Sequence, residues 1–417
     1  MTDNPVLDEP CDGLWQGDFL RLFLGFTLSA VGDRLAFVVL PFLILAADSP
    51  VWAVAWVLGA RSVGFAASVL AGGVVADRMG PQRMLMFSEG VRALVQAAVV
   101  LVCLQTTLSV VSLIVLSALY GLAEGVAVPS AKALLPQVVA KPHLERANGY
   151  LSVAYTSGHL LGPMLAGVLV AAQLGVVAIA LDGLSFLLCA LLVASLRLPV
   201  PTRHVIPVTA VAQFVEGVQL LRTRRSLMWM LFAGVTLHLT TLPAVYALGP
   251  AWAQTHLGGA AAWGVLVSAF GIGGVIGGLV AAHVRPHRPA LWFFLSLIPV
   301  AAQPLMLVWT PVFWWVAALQ GLAGFSLALL NVMEDLSLQH GVPPTLIARV
   351  ASLLMFASTV ALPLGYAVVA GMASTLGVQM AMTVLGVACV LIAIVGVTLP
   401  GVRTLTVARS DDAVRRH

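Results

Sequence analysis

Charged residues are scarce in this chain. Asp, Glu, Lys and Arg together make up 9% of its 417 residues, whereas 60% of the residues are hydrophobic. The mean hydropathy of +1.02 is higher than a water-soluble domain can have without aggregating. The composition therefore excludes a water-soluble protein and predicts an integral membrane protein.

Cysteine is also scarce, and the four cysteines have no paired spacing. Cys11 lies near the N-terminus, whereas Cys103, Cys189 and Cys389 lie within hydrophobic segments, and the sequence has no CxxC motif. This pattern favours neither disulfide bonds nor a metal site.

The motifs that usually carry enzyme chemistry are missing as well. The sequence has no phosphate-binding loop, no GxSxG elbow, no HExxH zinc motif and no paired interfacial acids. We therefore expect neither an enzyme nor a bound cofactor. Because there is no ATP site, the energy for any work must come from an ion gradient or from the gradient of a substrate.

Long hydrophobic segments fill most of the chain. A membrane-spanning helix needs about 20 apolar residues, and twelve such segments are present. They lie near residues 19–46, 51–76, 84–105, 108–130, 147–171, 175–196, 227–250, 260–282, 289–309, 312–333, 346–373 and 376–399. We therefore predict an all-α membrane protein with twelve transmembrane helices. The first segment follows an acidic stretch and lacks a signal peptide's basic start, so we expect it to be retained as helix 1.

The basic residues predict an orientation. If the N-terminus is cytoplasmic, the terminal segments and the loops on that side hold 18 of the 21 Lys and Arg residues. The loops on the other side hold none, and Arg34, Arg61 and Arg92 lie within helices. We therefore expect a protein of the cell (inner) membrane with both termini in the cytoplasm. The net charge of +4 follows from this topology and does not indicate nucleic-acid binding.

The sequence contains an internal repeat. Residues 72–83 align without a gap on residues 277–288. Repeats of this kind indicate two six-helix halves, with a ligand site between them near the middle of the membrane. We predict an N-terminal half (1–196), a cytoplasmic linker with a helix on the membrane surface (197–226), a C-terminal half (227–402) and a cytoplasmic tail (403–417).

The most informative stretch is the polar hairpin between helices 2 and 3. Its spacing is Gly-x3-Asp-Arg-x-Gly-x2-Arg, formed by Gly73, Asp77, Arg78, Gly80 and Arg83. This pattern resembles the loop between helices 2 and 3 of the major facilitator superfamily, a large family of secondary transporters. The resemblance implies that these residues form an inner gate and conformational switch. Asp77 would hold the gate shut near the positive N-terminal end of a facing helix, which we expect to be helix 11.

Helix 5 carries a second pattern that resembles this family. Gly149, Gly158, Gly162, Pro163 and Gly167 resemble the signature of its antiporter branch, which its uptake symporters usually lack. Small residues recur every four positions in this helix, so we expect a smooth ridge that another helix approaches closely. A proline within the ridge is expected to bend the helix. Packing alone is the alternative explanation of the ridge.

Further phrases narrow the resemblance to one group of transporters. They include Pro129–Pro136 before helix 5, Leu181–Phe186 in helix 6 and Arg349–Ser352 before helix 11. With these phrases, the chain resembles the bacterial exporter group that includes enterobactin and macrolide efflux proteins. The phrases do not identify a substrate.

Asp33 and Arg61 are the first candidates for proton coupling. Counted along helices 1 and 2, the two residues lie at similar depths in the membrane. A charge inside a membrane is costly unless it faces a partner or a cavity, so we expect them to pair. Protonation of Asp33 would then release Arg61. A permanent structural ion pair, or pairing of Asp33 with Arg34 alone, are the alternatives.

Glu124 and Asp182 are further candidates for proton coupling or for the cavity wall. Glu124 in helix 4 has no basic residue nearby in the sequence, which suits a group that takes up and releases protons. Many drug exporters of the family have an arginine at the position that matches Gly121, so Glu124 is a candidate substitute here. Asp182 in helix 6 either faces the cavity or bonds Ser185 in a structural role.

Two other pairs of charged residues suggest structural roles. Glu89 and Arg92 in helix 3 are three residues apart and can satisfy each other on one helix face. We expect this pair to brace the polar hairpin. Glu334 and Asp335, near the inner end of helix 10, are expected to pair with arginines of neighbouring loops.

Helix 7 offers polar groups for a substrate path. His238, Thr241 and Tyr246 lie in an otherwise apolar span and are our candidates for residues that line this path. His159 and His238 have no metal-ligand spacing, and buried histidines with satisfied hydrogen bonds are the simplest interpretation of both.

Together these features predict a proton antiporter that exports amphipathic small molecules of the drug, macrolide or siderophore type. A proton-coupled uptake symporter is the alternative among transporters, and a membrane receptor or sensor on the same fold is the alternative from another class. The expected partners are the small-molecule substrate, protons and the lipid bilayer. A monomer is expected because the two halves of one chain can form the pathway. The proton gradient is the expected energy source.

Overall fold

The computed structural model describes residues 17–105, 107–196, 219, 224–284, 286–310, 312–343, 346–399 and 402. For residues 70–79, 141 and 348 it describes the backbone and not the side chain. The predicted surface helix of the linker and the predicted C-terminal tail lie almost entirely outside these residues.

The described chain is built from helices. We number them α1 to α11 in chain order, and each is long and apolar enough to cross a membrane over the residues described in full. Their bounds are α1 Asp18–Ala46, α2 Val51–Met79, α3 Pro81–Cys103, α4 Val110–Val138, α5 Leu144–Ala171, α6 Gly175–Ala194, α7 Arg225–Leu257, α8 Gly259–Ala281, α9 Pro289–Trp309, α10 Phe313–Gly341 and α11 Ile347–Thr398. The prediction of a helical membrane protein is confirmed.

Helix α11 is interrupted where the sequence predicts the junction of two helices. Gly377 has φ 78° and ψ 167°, which is not a helical conformation. The break falls next to the predicted boundary between residues 346–373 and 376–399. Glycine adopts a positive φ without the steric penalty that a side chain brings, so this residue allows the chain to change direction.

Helix α7 is irregular beyond its first four turns. The regular segment Arg225–Leu239 ends at Thr240, and wider π-helical turns follow at Ala244–Leu248 and Ala253–Leu257. Pro243 and Pro250 lack the backbone N–H that a regular helix needs, which explains why the helix changes its hydrogen-bonding pattern here. The sequence prediction of one uninterrupted helix missed these changes.

The helices pack in two groups. Within the first group, α2 packs on α4, α1 packs on α5 and α6, and α3 packs on α4 and α6. Within the second, α8 packs on α10, α9 packs on α10 and α11, and α7 packs on α11. The main contacts between the groups join α2 to α11 and α5 to α8.

The two ends of the bundle differ in how the groups meet. We call them the Gly80 end, where α2 meets α3, and the Asp48 end, where α1 meets α2. At the Asp48 end and towards the centre, one apolar cluster joins both groups and includes Val57 and Leu58 of one group and Trp263 and Tyr366 of the other. At the Gly80 end, each group has its own separate cluster. The groups therefore meet at the Asp48 end and separate towards the Gly80 end.

The small residues of α5 let α1 come close. Ala154, Gly158, Gly162 and Ala166 are all buried, as the ridge in the sequence predicts. Gly158 lies against the backbone of Ala30 in α1. Gly149, which belongs to the same sequence pattern, is exposed and has open space around it. Only part of the pattern therefore serves this contact.

The ridge yields a test of packing. In Gly162→Ala, the added methyl group would lie 2.6 Å from the Cβ atom of Arg34 and 2.9 Å from the backbone nitrogen of Leu35. Overpacking of this kind costs about 1–3 kcal/mol. We expect a lower apparent melting temperature in detergent for this variant.

Gly149→Ala is the matched control, because its methyl group meets no atom within 4 Å. Alanine is about 1 kcal/mol better than glycine inside a helix. The control should melt no earlier than the unmodified protein. Equal melting temperatures for the two variants would contradict the close approach of α1 and α5.

Candidate functional site

A cavity of about 640 Å³ lies between the two helix groups. Its walls come from α1, α2 and α4 on one side and from α7, α10 and α11 on the other. Aromatic rings of Phe37, Phe65, Tyr246 and Tyr366 contribute much of its apolar surface. Towards the Asp48 end, Phe37 and Tyr246 meet edge to face with ring centroids 5.2 Å apart. The cavity extends towards the Gly80 end, where its walls reach Leu338 and Ala351.

A smaller cavity of about 280 Å³ adjoins the first one. Arg34, Phe37, Tyr246 and Asn331 line both, so the two spaces meet at these residues. Arg34 donates a hydrogen bond of 3.2 Å to the hydroxyl group of Tyr155 in α5. The combined space offers apolar surface with a few polar groups, which is typical of small-molecule sites.

Arg61 links two acids on the first wall. It donates a hydrogen bond of 2.8 Å to Asp33 and two of 2.9 Å to the two carboxylate oxygens of Glu124. The pair of Asp33 and Arg61, expected from their depths, is therefore present. The expectation that Glu124 is isolated is wrong, because Arg61 approaches from another helix. Arg61 and Glu124 line the cavity, whereas Asp33 lies behind them with 6% of its surface exposed.

Close packing of α2 and α4 makes this contact possible. Gly121 lies directly against the backbone of Arg61, and Gly125 lies against that of Phe65. Any side chain at position 121 would collide with α2. The resemblance to drug exporters draws attention to an arginine at this position. Here the guanidinium group beside Glu124 comes from Arg61 instead.

A second arginine lies deeper in the first group. Arg92 donates a hydrogen bond of 2.9 Å to Glu89 and one of 2.8 Å to the Tyr120 hydroxyl, and it lies 3.4 Å from Asp33. The hydroxyl of Tyr120 in turn donates a bond of 2.5 Å to Asp33. Glu89 also accepts a bond of 3.1 Å from Ser29. The expected pair of Glu89 and Arg92 is therefore present, and Arg92 also contacts Asp33.

Asp182 is fully buried and lines neither cavity. One of its carboxylate oxygens accepts a very short hydrogen bond from the amide of Gln96, and the other has no hydrogen-bond partner among the described residues. The hydroxyl of Ser185 donates to the backbone carbonyl of Asp182 and not to its side chain. The expectation that Asp182 faces the cavity is therefore wrong, whereas its bond with Ser185 is present through the backbone carbonyl. Its carboxylate lies next to Gly32, the residue before Asp33.

These side chains form one charge cluster with more acids than bases. Arg34 belongs to it through a contact of 3.7 Å with Asp33. The acids are Asp33, Glu89 and Glu124, with Asp182 next to Gly32 beside them, and the bases are Arg34, Arg61 and Arg92. Arginine keeps its proton in proteins. If all four acids are ionised, the cluster therefore has one excess negative charge, and a buried charge without a partner is costly.

The second wall of the cavity carries acids that the sequence interpretation assigned to loop contacts. Glu334 and Asp335 of α10 line the cavity, and neither forms an ion pair with any residue described in the structure. The predicted pairing with loop arginines is therefore not observed among those residues. His238 and Tyr246 of α7 line the cavity as predicted.

Other predicted residues lie elsewhere. Thr241 is fully buried beside Cys389 and is not on the lining of either cavity, which contradicts its assignment to the substrate path. Gly73, Asp77 and Arg78 belong to α2, but their side chains lie outside the described residues. Gly80 joins α2 to α3 with φ 87°, and Arg83 is exposed at the start of α3.

Several residues of the site escaped the sequence interpretation. Tyr120 lies four residues before Glu124, and Gln96 lies four residues after Arg92, so each shares a helix face with a residue that had been selected. The four-residue spacing is the feature of the sequence from which both residues could have been predicted to lie at the site. The partners that face each other across helices, such as Arg61 and Glu124, have no such signal.

The central role of Arg61 can be measured as stability. Arg61→Met leaves two acids without their shared cation, and breaking a buried pair in this way costs about 3–5 kcal/mol. The matched control is Arg21→Met, which removes a more exposed arginine 3.1 Å from Asp18. Such surface pairs contribute about 0–1 kcal/mol. We expect a much lower melting temperature for the Arg61 variant only, and equal values for both variants would contradict the assignment.

Comparison with known proteins gives consistent results. The family model of the Major Facilitator Superfamily matches residues 22–365. The multidrug efflux pump Tap of Mycolicibacterium fortuitum is 22% identical over 409 residues, covering 94% of this chain and 98% of Tap. The enterobactin exporter EntS of Salmonella choleraesuis is 27% identical over 341 residues, covering 76% of this chain and 79% of EntS.

Solved transporter structures share the fold. The nucleoside transporter NupG, as its D323A mutant, matches with a TM-score of 0.76 at 10% identity, over 91% of this chain and 99% of NupG. A bacterial homologue of the iron transporter ferroportin, in an inward-facing state, matches with a TM-score of 0.69 at 15% identity, over 92% and 99% of the two chains. The resemblance drawn from the hairpin is therefore confirmed. This chain is a multi-pass membrane transporter, not an enzyme, and it belongs to the Major Facilitator Superfamily.

Proposed function

We propose that this protein exports amphipathic small molecules across the cell membrane by proton antiport. The observation that carries the proposal is the central cavity, which adjoins a buried cluster of four acids and three arginines. A cavity of this size suits a drug-sized molecule. The cluster has one more acid than bases, so it can bind one proton and become neutral. The names of the relatives, a multidrug efflux pump and an enterobactin exporter, support export and the substrate class.

The proposed architecture has twelve transmembrane helices in two pseudo-symmetric halves. Counting α11 as two helices separated at Gly377 gives twelve. The first half comprises α1 to α6 and the second comprises the rest, as the internal repeat suggests. With the excess of Lys and Arg on the cytoplasmic side, the Gly80 end and both termini face the cytoplasm. The described conformation is then open to the cytoplasm.

The difference between the apolar contacts at the two ends supports alternating access as part of this proposal. The halves share one core at the Asp48 end and have separate cores at the Gly80 end. Rocking of one half against the other would close the second end and open the first, as in transporters with repeated halves. The close contact of Gly167 in α5 with Gly264 in α8 lies where such a rocking movement must separate the halves.

Proton coupling requires that the proton binds the two conformations with different affinity. We assign the proton to the cluster, because one bound proton removes its excess charge. Asp182 is the acid that we expect to bind this proton, since one of its carboxylate oxygens has no hydrogen-bond partner among the described residues. The other three acids of the cluster are already paired with Arg61 or Arg92. Asp33 and Glu124 would sense the change through Arg61. The proton-loaded carrier returns to the cytoplasm-open state, and the substrate-loaded carrier moves outward.

Asp182→Asn tests this assignment. Asparagine keeps the shape of the side chain but cannot bind a proton at physiological pH. In everted vesicles acidified by respiration, we expect a panel of antibiotics, dyes and siderophores to contain a compound that partly collapses the pH gradient. The variant should weaken this response by about tenfold, a usual size for coupling between sites. It should keep exchange of the same compound without a gradient.

Asp48→Asn is the matched control, since it makes the same chemical change in an exposed turn between α1 and α2. The control should respond as the unmodified protein does. An undiminished proton response in the Asp182 variant would contradict the assignment. Absence of any response in the unmodified protein, with the panel compounds shown to bind, would contradict antiport itself.

Asp77→Asn tests the switch that the family resemblance implies. We expect this change to abolish transport of a responsive compound while the melting temperature stays within the range of the unmodified protein. The reason is that a gate depends on the charge of Asp77 near a facing helix end, whereas folding of the bundle does not. Undiminished transport by the variant would refute the switch.

A further inference from the structure

The two walls of the central cavity differ in how their charges are satisfied. On the first wall, Arg61 is bonded to Asp33 and Glu124, so acids and base neutralise each other. On the second wall, Glu334 and Asp335 have no cationic partner among the described residues. Glu334 is half-buried, which makes an unpaired charge there more costly than at a surface. Among the described residues, the second wall therefore carries two acids and no base paired with them.

His238 gives an independent indication of what is missing. Its Nδ1 atom lies 2.9 Å from the backbone carbonyl oxygen of Gly234. A carbonyl only accepts hydrogen bonds, so Nδ1 carries the proton of the neutral ring and Nε2 is an acceptor. No hydrogen bond to Nε2 occurs among the described residues, although the ring is mostly buried and lines the cavity. An N–H group from a ligand would satisfy this acceptor.

The acids and the free acceptor atom on this wall are therefore complementary to the same chemical group. The carboxylates of Glu334 and Asp335 attract a positive charge, and the Nε2 atom of His238 accepts a hydrogen bond from a donor. A protonated amine has both, whereas a quaternary ammonium group has the charge alone. The aromatic rings of Phe37, Phe65 and Tyr366 on the remaining surface suit the apolar body of such a molecule.

We propose that His238 and Glu334 form a recognition site for a protonated amine, and that the exported molecules are amphipathic amines. The ammonium group donates a hydrogen bond to Nε2 of His238, and its positive charge lies against the carboxylate of Glu334. Asp335 adds negative charge to the same wall. This inference rests on the proposed function, because it assigns a substrate class to the same cavity.

Binding measured without transport tests the site. The purified protein is titrated with an acridine dye that carries a dimethylaminoalkyl chain, and with the same dye methylated to a quaternary ammonium. Bonds to charged groups are among the stronger hydrogen bonds, and we expect the protonated tertiary amine to bind about tenfold more tightly. His238→Phe should remove this preference while leaving the affinity for the quaternary dye unchanged. Glu334→Gln should weaken the binding of both dyes by about tenfold or more.

The chain offers matched controls for both variants. His340 is exposed and bonds its own helix in the same way as His238, with Nδ1 2.7 Å from the carbonyl oxygen of Leu336. His340→Phe and Glu145→Gln, an exposed acid of α5, should leave both affinities unchanged. The proposal is overturned if the unmodified protein binds the two dyes equally, or if His238→Phe and Glu334→Gln bind them as the controls do.

The outcome separates this inference from the proposed function. If the tertiary amine binds as predicted but never alters a pH gradient in vesicles, the recognition site stands and antiport fails. If a compound without an amine alters the gradient while neither dye binds, antiport stands and the recognition site fails.

Discussion

The structure depends on one constraint: charges inside a membrane must neutralise each other. Arg61 does most of this, because it holds Asp33 of α1 and Glu124 of α4 from its place on α2. The close approach of α2 and α4 at Gly121 brings the three side chains together. Arg92 completes the arrangement from α3. Four helices of the first group are therefore tied to one cluster, and a change in its charge acts on all of them.

The second helix group has a different character. It contributes no residue to the charge cluster of Asp33, Arg61 and Arg92, and its acids Glu334 and Asp335 line the cavity. The first half thus carries the proposed proton site and the second half carries the proposed amine site. In this proposal the substrate is held at the cavity wall of the second group, and the proton is held behind the opposite wall. Because the proposed mechanism rocks one helix group against the other, each ligand would bias the relative position of the groups without contacting the other ligand.

The sequence predicts the features that are set within a single helix or by the depth of a residue in the membrane. The fold, the pair of Asp33 and Arg61 and the small-residue ridge of α5 all follow from segment length, residue counting or a period of four. It failed where partners come from distant helices. Glu124 looked isolated because Arg61 is 63 residues away in the chain. A cavity position for Asp182 stayed open because the face that a residue presents within a helix bundle cannot be oriented from sequence alone.

The central claim is that protonation shifts the protein from a conformation open at the Asp48 end to one open at the Gly80 end. Two distances, one across each end, test this claim most directly. Spin labels at Arg83 and Gln339 report the Gly80 end, and labels at Ala172 and His256 report the Asp48 end, all at exposed positions. Pulsed electron resonance would record both distances as the pH is lowered in lipid nanodiscs. The account predicts that the first distance lengthens and the second shortens. Constant distances, or changes of the same sign at both ends, would contradict it.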